Sequence, residues 1–377
     1  MRTNLTRLLI NLAIITTSVL LTLLLLNVAF QIAMPNIVSQ KYFPRSLIHQ
    51  LGKHYQTFYP SVNDGNLKHW TAVLGDSYAA GSGDSFIKND RDYGIFHYLY
   101  KQTGENFYIF ARSGFGSINS VREYFITRSE IDNSIFYPKM EEPGKLYFLF
   151  YEGNDLDNNL DHYNANKGYK YSSIDAFVNR EIEKSSALSR WFELYFPVLD
   201  ILDFETVEKI SAFGSRHKIN SREEGENIIL FSQGKNSFIY PRAANSASLE
   251  LSDKELKISL DIFFSSISYL KRRTNTIPIT IVYIPSVVSS YSWENPVRIR
   301  TYHTDDKILI NFQDNLKRSQ FIRKKIAEFS SENKIDFIDT TGSVIEKGGE
   351  EYLHGLLDMG HFNSVCYELI SKLLIKQ

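Results

Sequence analysis

Four short polar clusters in a chain of 377 residues combine side chains that together can carry out acyl transfer. Gly75-Asp76-Ser77-Tyr78 directly follows the apolar run Thr71–Leu74, and Arg112-Ser113-Gly114-Phe115-Gly116 follows a second run. Gly153-Asn154-Asp155 follows a third, and Asp358-Met359-Gly360-His361-Phe362-Asn363 stands just before the last helical pattern. A serine hydroxyl is a poor nucleophile near neutral pH, so it needs a base within hydrogen-bond reach. His361 can be that base. Asp358, three residues earlier, can hold the other ring nitrogen, fix the tautomer and stabilise the imidazolium. The tetrahedral intermediate of acyl transfer carries an oxyanion that needs donors fixed in advance. The candidates are the backbone N–H of Ser77, the backbone N–H of Gly114 and the side-chain amide of Asn154. Gly114 would let the backbone approach without a Cβ in the way; Gly116 is the other glycine of that block. Asp76, Gly153 and Asp155 stand beside these groups as supporting residues.

Taken singly, each residue has a plainer reading. A serine after a strand commonly caps the next helix, and Asn154 and Asp155 suit a turn. Asp358 could be a helix-start carboxylate and His361 a solvated histidine. The run from Asp155 to Asp161 places oxygen donors at alternate positions, which invites a calcium reading. An EF-hand loop needs glycine at its sixth position and glutamate at its twelfth, where this chain has Leu160 and Asn166. His354, Asp358 and His361 lack an evident fourth metal ligand. Ser113–Gly116 lacks the third glycine of a dinucleotide fingerprint. Neither metal nor cofactor is expected.

The surrounding pattern explains how four clusters could meet. Short apolar runs at His69–Gly75, Phe107–Ala111, Lys145–Tyr151, Ile277–Ile284 and Lys334–Ile338 read as buried parallel strands. Between them lie helical patterns at Tyr93–Gln102, Ile118–Arg128, Asp253–Arg273, Phe312–Asn333 and Asn363–Ile375. The third opens on Ser252 with Glu255 three residues later, a capping-box signature. Strand alternating with helix predicts a doubly wound α/β sheet, in which ligands bind at the carboxyl ends of the strands. Three clusters sit at successive strand ends, and the fourth is a late loop.

The stretch 157–251 interrupts this rhythm and reads as an insertion, helical at first and hairpin-like around Ile228–Tyr240. It includes an aromatic stretch, Trp191–Phe204, expected to build a small core of its own. A second excursion, Pro285–Asp306, carries Tyr291, Trp293, Tyr302 and His303. There is no internal repeat.

Charge and composition narrow the function classes. Forty-two basic side chains stand against 43 acidic ones, so the chain has no positive excess with which to track nucleic acid. One cysteine, Cys366, excludes an internal disulfide framework. The mean hydropathy of −0.24 conceals a very uneven beginning. No charged side chain occurs from Leu8 to Gln40. The apolar run 8–34, as a helix, would reach about 40 Å against a hydrocarbon core of about 30 Å. It is too long for the usual apolar region of a cleaved signal peptide, and Phe30–Met34 makes a poor cleavage site. Pro35 supplies a stop. Residues 1–34 are therefore expected to be a short tail and an uncleaved membrane helix, 35–68 a connector, and 69–377 a catalytic domain interrupted at about 157–251. Arg2 and Arg7 before the run nearly balance Lys41, Arg45 and Lys53 after it. The short leading tail favours the domain outside the membrane.

The ordered set of blocks resembles the SGNH hydrolases, also called GDSL-type esterases. Ser77 in Gly-Asp-Ser, Gly114 in Ser-Gly-Phe-Gly, Asn154 in Gly-Asn-Asp, and His361 with Asp358 in Asp-Met-Gly-His occur in family order. The likeness covers about residues 70–155 and 256–377. Tyr78 stands where the name-giving leucine would, and Cys366 where such sequences often carry glycine. The resemblance implies a flavodoxin-like, three-layer α/β/α fold with a parallel sheet, and hydrolysis or transfer of ester-linked acyl groups without metal. Together with the apolar run 8–34, which the likeness does not cover, it suggests a membrane-anchored esterase, on the outer side of a bacterial cytoplasmic membrane, that removes acetyl or similar groups from a cell-envelope glycan. An O-acyltransferase or a lipid esterase would use the same triad, and a non-catalytic assembly protein is a further reading.

Overall fold

A computed structural model of the chain describes residues 2–37, 68–88, 90, 92–133, 140–166, 171–184, 227–231, 237–301 and 307–376. In chain order the strands are β1 (Trp70–Gly75), β2 (Asn106–Ala111), β3 (Lys145–Tyr151), β4 (Asn227–Leu230) and β5 (Ser237–Tyr240). They continue with β6 (Ile279–Ile284), β7 (Ser292–Trp293), β8 (Val297–Arg300), β9 (Lys307–Ile310) and β10 (Asp336–Asp339).

Five of these form one parallel sheet in the order β10-β6-β3-β1-β2. From β1 the chain steps outward to β2, then crosses back to β3 on the other side. The carboxyl ends of β1 and β3 therefore flank the switch point of a doubly wound sheet, where a crevice opens. Register aligns Gly75 with Ala111 and Tyr151 with Ile284, so successive strand ends finish together.

Alternate side chains leave the sheet on opposite faces. Val73, Ile109, Leu149 and Val282 join one core with α4 (Ile95–Thr103) and α11 (Ser364–Ile375). Leu74, Tyr108, Phe148 and Ile281 join a second core beneath α5 (Ser117–Asn133), α6 (Asp155–Asn166) and α8 (Asp253–Thr274). Burial on both faces is why these strands read as continuous apolar runs. The result is three layers, α/β/α. The expected capping box of α8 is present: Ser252 Oγ accepts from Glu255 N, while Glu255 Oε2 accepts from Ser252 N at 3.0 Å.

The expected insertion is only partly a separate unit. Helix α6 and then α7 (Ile174–Glu183) lie in the second helical layer, and Leu156, Leu160, Phe177, Val178 and Ile182 belong to the main core. These two helices break the strand rhythm because α8, not they, is the helix that leads into the next strand of the large sheet, β6. Trp191–Phe204 lies outside the described residues. The expected hairpin is present, with Ile229 opposite Phe238, and β7 adds to β4. The second excursion is a 3₁₀ turn at Val288–Ser290, then β7 and β8, the latter paired with β9; Tyr302 and His303 lie outside the described residues.

The backbone of α1 (Arg2–Ile37) is one helix of 36 residues. Its leucines and isoleucines from Ile10 to Leu26 are mostly exposed. Among the described residues no helix is long and apolar enough to cross a membrane. Most of the connector 35–68 lies outside the described residues.

Candidate active site

Strand β1 ends at Gly75 with φ +148°, where a Cβ would stand 2.9 Å from Leu149 O and 2.8 Å from Ala79 Cβ. Only glycine lets β1 turn this sharply against β3 and enter α2 (Ser77–Ala80). Asp76 caps that single turn, its carboxylate accepting from Tyr78 N at 2.9 Å. Ser77 thus opens a helix at the end of the first strand, buried and aimed at the crevice. Its N–H is one of the first-turn donors that a helix leaves without an internal acceptor. The capping residue is Asp76, not Ser77, so the plainer reading of Ser77 as a cap does not hold.

His361 and Asp358 sit on a closed loop. His354 and Phe362 form an antiparallel bridge, and Gly355 N donates to His361 O at 2.9 Å. Tyr78 Oη donates to Gly360 O at 2.7 Å, tying this loop to the residue after the serine. Tyr240, from the hairpin, donates to Met359 O at 3.1 Å.

These two elements bring three side chains into line. Asp358 Oδ2 lies 2.7 Å from His361 Nδ1, and His361 Nε2 lies 2.7 Å from Ser77 Oγ. A carboxylate only accepts, so Nδ1 carries the proton and Nε2 accepts from the serine hydroxyl. The competing acceptor, Asp76 Oδ2, is 3.4 Å from Ser77 Oγ. Burial pushes the Asp358 carboxyl up, but the hydrogen bond and charge of His361, with the Gly360 N–H, hold it below the usual carboxylate value. Its ionised form is therefore the one present to orient and stabilise an imidazolium.

Asp76 behaves oppositely. Complete burial raises its pKa to about 6, against the opposing pull of Tyr78 N–H, His361 and Asn154. The Asn154 side chain hydrogen-bonds this carboxyl, which places the expected oxyanion donor next to the turn that opens on Ser77. Burial, then the charge of Asp76, pushes Asp155 well up, and its Oδ2 accepts from Tyr151 N at 3.0 Å. At Gly153 a Cβ would fall 2.4 Å from the Tyr151 ring, whose face packs on Tyr78 at 4.1 Å. The supporting residues Asp76, Gly153 and Asp155 are thus all at the strand ends beside Ser77.

The two glycines of the second block differ. Gly116 is packed, since a Cβ there would meet Asn159 Oδ1 at 2.6 Å, and that oxygen accepts from Ser117 N at 2.8 Å. Gly114 lies in the exposed turn after β2 with φ +77° and nothing within 4 Å of a Cβ position. Its turn leaves β2 beside the end of β1, and the space before it is open.

The calcium reading fails on geometry: the run 155–161 is helix α6, so alternate positions point to different faces. Asp157 accepts from Ser248 Oγ at 2.7 Å. Of the three metal candidates, His354 is bound to Tyr291 Oη at 2.7 Å, while Asp358 and His361 hold each other. No group of three or more potential metal ligands occurs among the described residues.

Two buried acids escaped the sequence reading. Glu152 accepts from Tyr283 Oη at 2.7 Å and Ser286 N at 2.8 Å, fixing the end of β3 to the loop after β6. Asp84, in the short helix α3 (Asp84–Ile87), accepts from three consecutive N–H groups of the histidine loop: Leu356, Leu357 and Asp358. Their partners are mainly backbone donors, which leave no side-chain pattern to read; the acidic residue adjoining Gly153-Asn154 was the only available hint.

No family model matches the chain, and no curated protein matches it.

Proposed function

We propose that this chain is a membrane-anchored serine esterase of the SGNH type, acting on ester-linked acyl groups, acetyl foremost, of an extracytoplasmic glycan. The observation that carries the reading is the unbroken Ser77–His361–Asp358 line, with both contacts at 2.7 Å, at the switch point of the sheet. The five-stranded order, with reversal between β1 and β3, is that expected of a flavodoxin-like SGNH fold. The uncharged run from Leu8 to Gln40 supports the anchor, and the resemblance supports the glycan.

In this reaction Ser77 attacks the ester carbonyl while His361 Nε2 takes its proton. The oxyanion is met by the N–H groups of Ser77 and Gly114 and by the Asn154 amide. His361 returns the proton to the departing alcohol, leaving an acyl-serine. Water, activated by His361, then releases the acid and restores the hydroxyl. No cofactor takes part in these steps.

A glycan hydroxyl in place of that water makes the same protein an O-acyltransferase. A lipid ester is the second reading that an observation favours: Leu356 and Leu357, beside Asp358, are 66% and 50% exposed.

The test is ester hydrolysis by the full chain in detergent, on a short-chain aryl ester and on acetylated glycans, beside Ser77→Ala. Turnover should fall by about 10³-fold or more in the variant. Unchanged hydrolysis would sink the mechanism. Mass spectrometry of a glycan acceptor incubated with an acyl donor separates transfer from hydrolysis.

A further inference from the structure

We infer that Asp84 is a positioning residue for the triad aspartate Asp358, acting through the backbone of residues 356–358. The inference rests on the triad reading above. Asp84 is 7% exposed, and its carboxylate receives Leu356 N at 2.8 Å on one oxygen. The other oxygen receives Leu357 N at 2.9 Å and Asp358 N at 2.8 Å. Three consecutive amides pointing at one site make an anion-binding concavity of the kind that elsewhere holds phosphate. Here the anion is built into the protein.

The third of these amides belongs to Asp358 itself. Fixing it fixes the root of the side chain whose Oδ2 reaches His361 Nδ1, so the aspartate's aim is set one bond away from its own Cα. The loop is shaped around the incoming carboxylate from the opposite side as well. At Gly355 a Cβ would stand 2.1 Å from Asp84 Oδ1 and 2.6 Å from its Cγ. Glycine is required there by space alone.

The same short helix also links to the nucleophile. It follows Ser77 by seven residues, and Ser82 O accepts from Tyr367 Oη at the start of the last helix. At Gly83, a Cβ would meet Phe362 O at 2.6 Å. The segment from Ser77 to Ile87 therefore carries the serine at one end and the clamp for the aspartate at the other. Serine and acid, 281 positions apart in sequence, are referenced to one piece of backbone.

Two variants disturb the clamp from opposite sides. Asp84→Asn keeps the shape but removes the charge and one acceptor oxygen. Gly355→Ala keeps the carboxylate and forces it out of the concavity. The measurements are kcat and KM on a short-chain aryl ester, the rate at which an aryl fluorophosphonate labels Ser77, and the low-field proton signal of the His361–Asp358 hydrogen bond.

Both variants should lose about 10- to 100-fold in kcat and labelling rate, as when a supporting partner of a site residue is removed. KM should hold, and the low-field signal should broaden or vanish. If either folded variant melts earlier yet keeps its kcat, labelling rate and proton signal, Asp84 is a structural clamp only and the inference is overturned. Should Asp84→Asn fail to fold, Asp84→Glu takes its place, because a Cβ at residue 355 would also stand 2.9 Å from Asp358 O and act on that residue directly. Absence of Ser77 labelling in the unaltered protein would instead overturn the triad reading on which this rests.

Discussion

Asp76 is wholly buried beside Ser77, and that burial gives the protein a pH signature separable from the proposed ester chemistry. Its pKa is raised from 3.8 to about 6. A carboxyl whose folded pKa lies above its unfolded value favours folding while protonated, so stability falls as pH rises from about 4 to about 6 and stays lowered above that. At about 1.36 kcal/mol per pH unit this amounts to roughly 3 kcal/mol. Asp76→Asn should leave stability near the original at pH 4 and exceed it by up to that amount at pH 8, because the amide still accepts from Tyr78 N. Urea midpoints at the two pH values check this; a constant difference between the proteins would show that Asp76 ionises freely in the fold. Asp358 runs the other way. Its lowered pKa contributes stability above the unfolded value, lost as pH falls through the folded one. At this scale Ser77, Asn154, Asp358 and His361 were legible because their chemistry demands those side-chain types. Asp84 was not, since its partners are peptide N–H groups common to every residue.

Elements with a strong internal signal were equally legible. Four strands of the large sheet, β1, β2, β3 and β6, were readable as apolar runs because both their faces are buried, while the edge strand β10 buries only Ile338 fully; the bounds of all five moved by only a few residues. The Ser252–Glu255 capping box is local chemistry, visible in four residues and present as expected. Ser252→Ala should lower stability by about 1 kcal/mol with no change in ester turnover, since α8 lies on the far core from the helices α4 and α11. Chemical denaturation measures the first and an aryl-ester assay the second. An unchanged midpoint would mean that α8 is held by its packing alone. What sequence did not reveal was allegiance. Most of α6 and all of α7 looked like the start of an insertion, yet Leu160, Phe177 and Ile182 complete the second core. Periodicity reports which face of a helix is apolar but not which surface covers it.

For the whole molecule the question is how the α/β/α domain stands to the uncharged run Leu8–Gln40. Charged side chains nearly balance on the two sides of that run, so charge bias does not set an orientation. A single cysteine makes the question directly measurable. Cys366 lies at the start of α11, fully buried, with its thiol pushed well up by that burial; it should therefore remain silent toward maleimides in the folded protein. Lys317 on α9 (Phe312–Glu332) has a side chain 77% exposed and only an (i, i+3) contact with Asp314. Such exposed pairs contribute less than about 1 kcal/mol, so Lys317→Cys should fold normally. A membrane-impermeant maleimide applied to spheroplasts should label this variant as fully as it does after lysis, while the unaltered chain stays unlabelled in both. The labelled protein should remain in the membrane fraction through alkaline extraction, as a chain held by a membrane helix does. Labelling only after lysis would place the domain inside and remove a cell-envelope glycan from its reach. Release by alkaline extraction would leave the ester chemistry standing but abolish the anchor.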